Sequence, residues 1–317
     1  MDGATKAPRR RGTIWLIFLA LAIVEVVAHV VVRARVVEED DWERAAEKVR
    51  SDWREGDLVV VAPEWADPLL RKHLGDRITL EDAGRSDLAQ YRRLWALSIR
   101  GHRPAEAPDH APEHDEQVGR VRILRWDLPG DAVLYDFTEH VPDAQVTIVQ
   151  DGRERACAWR TDPRPRGGGL GAGPITPASR HACDPRRPWL WVGTTVQDDL
   201  DLRPRHCVWQ HPAGREPIRA TFRDVPLGER LVLYADLYYE HERDREHGPV
   251  HVAVHVDGEE IGRMVHNDGD GWKRMVARTQ PAEPRRERGD VTIEVTAPDP
   301  HLRSLCWAAT TRGAEAR

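Results

Sequence analysis

The stretch from Val250 to Val265, VHVAVHVDGEEIGRMV, decides the fold of the C-terminal third of the chain. Every second residue from Val250 to Val256 is valine, and this period of two is typical of a strand that buries one face. Asp257-Gly258 follows, a dipeptide favoured in two-residue hairpin turns, and apolar sequence resumes at Ile261. The stretch therefore predicts an antiparallel β-hairpin.

The same alternation recurs on both sides of this hairpin. Ile218 to Phe222 and Val291 to Val295 alternate apolar and polar residues, and shorter apolar runs lie at Gly271 to Ala277 and Ser304 to Thr310. About seven to nine short strands separated by turns are typical of an antiparallel sandwich. We therefore predict a C-terminal β-sandwich domain, jelly-roll-like, over residues 204–312.

A different pattern precedes it. Asp41 to Trp53 has the apolar spacing of an amphipathic helix, and Leu58 to Ala62 (LVVVA) suits a strand buried on both faces. A second helix after Asp67 and a strand at Leu94 to Ile99 complete a helix–strand–helix–strand order. These elements predict a small α/β domain over residues 40–155, joined by a Gly/Pro-rich linker (156–203), so that the chain is α+β overall.

The N-terminus carries an apolar run, Thr13 to Val32, TIWLIFLALAIVEVVAHVVV. As a helix it would span roughly 30 Å, the thickness of a bilayer core. The tail before it (1–12) is basic, and Glu38 to Asp41 after it are acidic, so the tail should stay in the cytoplasm. A cleaved signal peptide is the alternative, but Val30 to Arg33 is a poor cleavage site. We expect an uncleaved, single-pass signal anchor (13–32) in the inner (cell) membrane, with the bulk of the chain periplasmic.

Two polar residues, Glu25 and His29, interrupt this apolar run. They are four residues apart and share a helix face. Ionisable groups in a bilayer usually face a protein partner or pair locally. Glu25 and His29 are therefore candidates for contact with another membrane protein, and a local hydrogen bond between them is the alternative.

The chain has 317 residues, a formal net charge of −6 and four cysteines. Residues 1–12 carry four basic side chains and one acidic side chain, so the remainder of the chain has a formal net charge of −9. An acidic remainder argues against nucleic acid as a partner. No C-x-x-C pair is present, so an even number of cysteines in an exported chain predicts two disulfides. Three connectivities are possible, and we favour Cys157–Cys183 and Cys207–Cys306.

No motif indicates catalysis, a cofactor or a metal ion. No serine lies in G-x-S-x-G, and the glycine-rich run Arg166 to Pro174 lacks the ending of a phosphate loop. The most suggestive cluster is His266 to Trp272, HNDGDGW, where an indole and acidic side chains could hold a sugar. The candidate glycan contacts are Trp272, His266, Asp268, Asp270, Tyr238 and Tyr239. A hairpin turn with a core Trp, or a calcium site, are the alternatives.

The segment GDLVVVAPEWADPLLRKHLGD (56–76), followed by RRLWALSIRG (92–101), resembles part of a known family. It is similar to the extracytoplasmic segment of polyprenyl-phosphate-dependent glycosyltransferases of the dolichyl-phosphate-mannose mannosyltransferase-like superfamily. The resemblance covers about 42–100, under a fifth of the chain. Those enzymes have many membrane helices and acidic residues in their first extracytoplasmic loop, whereas this chain has one such helix. The resemblance implies no catalytic residue here, and at most a protein that works beside such enzymes.

These observations favour a non-catalytic, membrane-anchored binding or scaffolding protein associated with cell-envelope glycan assembly, with a glycan or an envelope membrane protein as partner. One alternative is a glycan-modifying transferase or hydrolase that uses Asp/Glu residues. Such an enzyme would need two convergent carboxylates in a cleft near His266 to Trp272. The other alternative is a purely structural envelope protein.

Overall fold

The structure, a computed structural model, describes residues 10–33, 36–162, 164, 167, 174–280 and 286–314. The helices in these ranges are α1 (Arg10–Arg33), α2 (Glu39–Asp52), α3 (Asp67–Leu74), α4 (Leu80–Ala83) and α5 (Tyr239–Glu242). The strands are β1 (Asp57–Ala62), β2 (Arg93–Ile99), β3 (His114–Val118), β4 (Val121–Asp127), β5 (Val133–Asp136), β6 (Gln145–Gln150), β7 (Arg153–Ala156), β8 (Ala158–Thr161), β9 (Ser179–Ala182), β10 (Trp191–Asp198), β11 (Pro204–Gln210), β12 (Ile218–Pro226), β13 (Arg230–Leu237), β14 (Val250–Val256), β15 (Glu259–His266), β16 (Lys273–Arg278), β17 (Arg288–Thr296) and β18 (Leu305–Arg312).

Helix α1 contains the predicted apolar run. Within the described part of the chain it is the one helix long and apolar enough to cross a membrane, over Trp15–Arg33. Most of the predicted cytoplasmic tail, residues 1–9, lies outside the described residues. Helix α2 begins at Glu39, so only five residues separate it from the end of α1 at Arg33. The Arg120 guanidinium donates to the carbonyl of Val36 within this short connection.

The predicted α/β unit is present as a sheet of order β1-β2-β4-β3. β1 and β2 are parallel, whereas β4 is antiparallel to both β2 and β3. One sheet face packs against α2 and α3, with Trp42, Val49 and Leu70 in the core. The other face forms a second apolar cluster around Leu94 and Trp126. Apolar burial on both faces explains the uninterrupted apolar run of β1.

The β-sandwich follows, built from two antiparallel sheets. One has the order β16-β13-β18-β11-β10-β9-β8, with β5 also paired to β18, and the other has the order β15-β14-β17-β12-β6-β7. From β12 to β18 the chain crosses between the sheets repeatedly, as in a jelly roll. Side chains of both inner faces meet in one core that includes Phe222, Leu233, Val252, Ile293 and Trp307.

The sandwich begins earlier in the chain than the sequence predicts. β5 pairs with β18 and β6 pairs with β12, so these strands lie in the sandwich sheets and not in the α/β unit. The segment predicted as a linker, 156–203, contains β8, β9 and β10. Strands of four to eight residues show little periodicity of their own, and their partners are distant in sequence. Most of the glycine-rich run lies outside the described residues.

Residues 84–87 belong to the α/β unit and form hydrogen bonds to the sandwich. Tyr234 Oη and the Arg312 guanidinium both donate to Asp87 Oδ2, at 2.9 and 2.7 Å. Gly84 accepts a hydrogen bond from the His206 backbone N–H. A Cβ on Gly84 would lie 2.6 Å from that nitrogen, so only glycine permits this close approach.

Candidate functional site

The predicted turn, His266 to Trp272, connects β15 to β16, and its acidic side chains are engaged by the protein itself. Asp268 Oδ1 accepts from the buried Arg303 guanidinium at 2.6 Å, and Asp268 Oδ2 accepts from a backbone N–H. Asp270 Oδ2 accepts from Lys273 at 2.8 Å. These contacts stabilise the turn and leave neither carboxylate free of a protein partner.

Several of the predicted glycan contacts are withdrawn from solvent, which corrects that prediction. His266 is fully buried, and Tyr238 is buried against Tyr239. The Trp272 ring stacks on Tyr234 at 5.7 Å and is also contacted by a guanidinium, while its Nε1 donates to a backbone carbonyl. Trp272 therefore belongs to the contact between the two units.

His266 instead belongs to a buried polar cluster that the sequence analysis missed. One nitrogen of His266 and one oxygen each of Asp236 and Glu242 lie within 4.8 Å of one another. Asp236 is the last but one residue of β13, Glu242 ends α5, and His266 ends β15. None of the three is more than 1 % exposed.

The carboxyl groups of this cluster are close enough to influence each other. Burial and the neighbouring Glu242 carboxylate raise the pKa of Asp236 far above its usual range. Among the described residues, no Lys or Arg forms an ion pair with Asp236 or Glu242. The nearest basic group is His266, whose Nε2 lies 3.9 Å from Asp236 Oδ1. The two carboxyl groups therefore hold negative charge that no Lys or Arg balances, or else hold a proton in its place.

A surface cavity of about 520 Å³ lies near this cluster, at an end of the sandwich. Its wall is mostly apolar, with Trp189, Leu190, Trp209 and Pro212 among the lining residues. Trp189 is 49 % exposed, whereas Trp209 is buried and stacks on Trp191 at 5.1 Å. Trp209 Nε1 donates to the backbone carbonyl of Trp189, which holds the Trp189 backbone against the Trp209 ring. The cavity thus presents a supported, accessible indole.

Polar groups also line the cavity. They come from four separate segments and comprise Arg187, His211, His241, Asp299, His301 and Ser304. Burial lowers the pKa of His211 to about 4, so this imidazole is neutral at physiological pH. His211 Nδ1 lies 2.8 Å from the Pro212 carbonyl, and His241 Nδ1 lies 3.3 Å from Ser304 Oγ. Burial and the charge of Arg303 also lower the pKa of His241.

The two disulfides form in the favoured pairing, Cys157–Cys183 and Cys207–Cys306. No free cysteine remains. Cys207 and Cys306 are fully buried and pack with Trp191 and Trp209 behind the cavity wall. The second disulfide therefore supports the part of the sandwich that carries the cavity.

The other predicted contact residues, Glu25 and His29, are exposed on α1. They contribute nothing to the cavity or to the buried cluster. Their role as contacts to another membrane protein remains a prediction.

Sequence reasoning missed the cavity residues because no local motif joins them. Trp189-Leu190-Trp191 gave no usable signal either, because period two would place both tryptophans on the same face of a strand. In the structure β10 begins at Trp191, and Trp189 lies before it and is half exposed. The partners of His266 were also missed, since Asp236 and Glu242 lie on other elements and 24 to 30 positions away.

Comparisons with known proteins give low similarity. No protein-family model matches the chain, and no curated protein matches it. Among solved structures, the chain is similar to the CBM51-2 and INT domains of Clostridium perfringens ZmpB in complex with GlcNAc. The identity is 15 %, with 53 % of this chain and 36 % of that chain covered, at a TM-score of 0.30. The chain spans about a third of the length of that structure.

Two further similarities concern single modules. One is to CBM51 from Clostridium perfringens GH95 in complex with methyl-galactose, with 9 % identity, 38 % of this chain and 81 % of that chain covered, and a TM-score of 0.27. The other is to a carbohydrate-binding module, CBM36, in complex with calcium and xylotriose, with 13 % identity, 34 % and 78 % covered, and a TM-score of 0.19. These TM-scores are low, so a ligand has to be inferred from this chain's own residues.

Proposed function

We propose that this chain is a non-catalytic, membrane-anchored protein that binds a glycan of the cell envelope in the cavity at the end of its sandwich. The proposal is carried by the half-exposed indole of Trp189, which lies in a cavity with a mostly apolar wall. A few hydroxyl, imidazole and carboxylate groups also line this cavity. Ligand sites are typically concave and apolar with a few polar groups that set orientation. An indole offers the flat apolar face on which the C–H face of a sugar ring stacks.

The polar groups of the cavity suit an uncharged sugar. His211 is neutral, and Asp299 and Ser304 offer oxygen acceptors for hydroxyl groups. Arg187 is paired with Asp184 at 3.0 Å, which reduces its ability to attract an anion. The cavity therefore favours hydroxyl-rich, uncharged rings over strongly anionic ligands.

The membrane location is part of the proposal. Helix α1 has the length and composition of an anchor, although a signal peptide has the same properties. The two disulfides favour an oxidising, extracytoplasmic compartment for residues after α1. The basic N-terminal tail then faces the cytoplasm, and Glu25 and His29 contact another membrane protein of the envelope. The resemblance of residues 42–100 to a glycosyltransferase segment supports a place beside glycan-assembling enzymes.

The two alternatives receive less support. The structure does bring together a pair of carboxylates, Asp236 and Glu242, but both are fully buried. Buried carboxylates cannot reach a glycosidic bond, so this pair does not favour a glycan-cleaving enzyme. A purely structural protein would not need a cavity with an exposed indole.

The test is binding of the detergent-solubilised full chain to a glycan array, followed by calorimetry with the retained sugar. Trp189→Ala should weaken binding by about 2 kcal/mol, roughly 30-fold, as for other exposed aromatic anchors. Trp159→Ala is the matched control, because Trp159 is 40 % exposed and lies on β8, outside the cavity. No retained glycan, or equal losses in the two variants, would contradict the proposal.

A further inference from the structure

We propose that Asp236, Glu242 and His266 bind a divalent transition-metal ion, with zinc the best fit. The site lies in the protein interior and is separate from the glycan cavity. The inference rests on the closeness of these three buried side chains and on the unpartnered polar atom that each of them carries, and it does not depend on glycan binding.

Each of the three side chains uses one polar atom for a hydrogen bond to the backbone. Asp236 Oδ1 accepts from the Leu237 N–H at 2.8 Å. Glu242 Oε1 accepts from the N–H groups of Gly269 and Gly271, at 3.1 and 2.8 Å. His266 Nε2 lies 2.9 Å from the Gly271 carbonyl, to which it donates. These bonds orient all three side chains.

The second polar atom of each side chain has no partner. Asp236 Oδ2, Glu242 Oε2 and His266 Nδ1 are all buried, and apart from the contact between the two carboxyl groups none of them has a hydrogen-bond partner. A buried polar atom without a partner costs about 1–3 kcal/mol, so three in one cluster call for a common explanation. A bound cation supplies one, because it accepts a lone pair from each of the three residues.

The pattern matches the way proteins support metal ligands. Ligating histidines usually donate their other ring N–H to a backbone carbonyl or carboxylate, and ligating carboxylates accept further hydrogen bonds. The Gly271 carbonyl and the Gly269 and Gly271 N–H groups supply these contacts to His266 and Glu242. His266 Nε2 also lies 3.9 Å from Asp236 Oδ1, so the imidazole and the carboxylate are neighbours.

The donor set selects the class of metal. Two carboxylates and one neutral imidazole carry two negative charges, which a divalent cation balances. Ca²⁺ and Mg²⁺ prefer six or more oxygen ligands or retained waters, whereas imidazole nitrogen with carboxylate oxygen is typical of Zn²⁺. Three protein ligands leave one tetrahedral position for water.

The alternative is a proton shared by the two carboxyl groups. A shared proton also relieves their repulsion, and it agrees with the raised pKa of Asp236. It leaves the unpartnered Nδ1 of the buried His266 unexplained. The two possibilities differ in metal content and in the effect of Asp236→Asn.

The first experiment uses the wild-type full chain in detergent, produced without a histidine tag. Metal content is measured by mass spectrometry, and the chain is then stripped with a chelator and titrated with ZnCl₂ or CaCl₂. We expect one zinc ion per chain, and a Tm that falls by several degrees on stripping and returns with ZnCl₂ but not with CaCl₂. Absence of stoichiometric metal and of a Tm response to ZnCl₂ would overturn the proposal, as would restoration by CaCl₂ alone.

The second experiment uses variants. His266→Gln keeps a donor for the Gly271 carbonyl but removes the ligand nitrogen, and Asp236→Asn removes one charge. Each should weaken zinc binding at least about 100-fold, because even supporting groups are worth about 10–100-fold. Asp270→Asn is the control, since Asp270 is a partly exposed carboxylate of the same turn that pairs with Lys273. This control variant should keep one zinc ion per chain. An Asp236→Asn chain that is as stable as the wild type and binds as much zinc would refute the site.

Discussion

Removing the Cys207–Cys306 disulfide should destabilise the sandwich more than removing Cys157–Cys183. The bonded cysteines are 99 positions apart in the first pair and 26 in the second. A crosslink lowers the entropy of the unfolded chain by an amount that grows with the closed loop. The loop-length relation gives about 4.7 kcal/mol for the longer loop, about 3.5 kcal/mol for the shorter one, and a difference of about 1.2 kcal/mol.

The packing around the two disulfides should widen this difference. Cys207 and Cys306 are completely buried among Trp191 and Trp209, whereas Cys157 and Cys183, which also belong to an apolar core, are 5 and 7 % exposed. Replacing the first pair by alanines therefore also leaves a void in a packed cluster, which adds to the loss of stability.

The assay is urea unfolding of the full chain in detergent, followed by tryptophan fluorescence, with both cysteines of a pair changed to alanine. The free energies of unfolding of the two double variants are compared with that of the wild type. Equal losses, or a larger loss for the Cys157/Cys183 variant, would refute the reasoning from loop length.

Three further predictions follow from buried or exported groups. Above pH 6.5 His211 is neutral in both the folded and the unfolded chain. As the pH falls from 6.5 towards 4, only the unfolded chain binds a proton at this histidine, so the free energy of unfolding should fall by about 3 kcal/mol. His211→Gln should flatten this slope in urea titrations, and an unchanged slope would count against it. Asp57→Asn should cost about 3–5 kcal/mol, because it leaves the buried Arg93 without its ion pair. Asp115→Asn, in the exposed pair with Arg122, should cost under about 1 kcal/mol, and similar losses would contradict the role of burial. In intact spheroplasts, a protease added outside should digest residues 40–317, and a thiol reagent should label none of the four cysteines without prior reduction. Protection of residues 40–317 from the protease, or labelling of unreduced cysteines, would contradict the proposed location.

Strands with strong local patterns were predictable from sequence. Val250 to Val256 forms β14 with its even-numbered valines in the core, and β15 returns beside it. Asp257 and Gly258 both have positive φ, at 49° and 86°, as the two-residue turn requires. Here the local turn chemistry and the burial pattern specify the same structure, so the sequence alone was sufficient.

The early strands and the sites were not predictable in the same way. β5 and β6 are short, and what places them in the sandwich is pairing with β18 and β12, far along the chain. The cavity gathers residues from four segments, and the buried cluster joins the ends of three elements. Tertiary packing creates these neighbourhoods, so no spacing rule along the chain can reveal them.

The short connection between α1 and α2 limits how far the folded part can stand from a bilayer that contains α1. Five extended residues reach at most about 18 Å, so the α/β unit would rest close to the lipid headgroups. Hydrogen bonds of Asp87 and Gly84 couple that unit to the sandwich. A protein tethered in this way would sample only a shallow layer above the membrane, where it would meet lipid-linked chains far more often than freely diffusing ones.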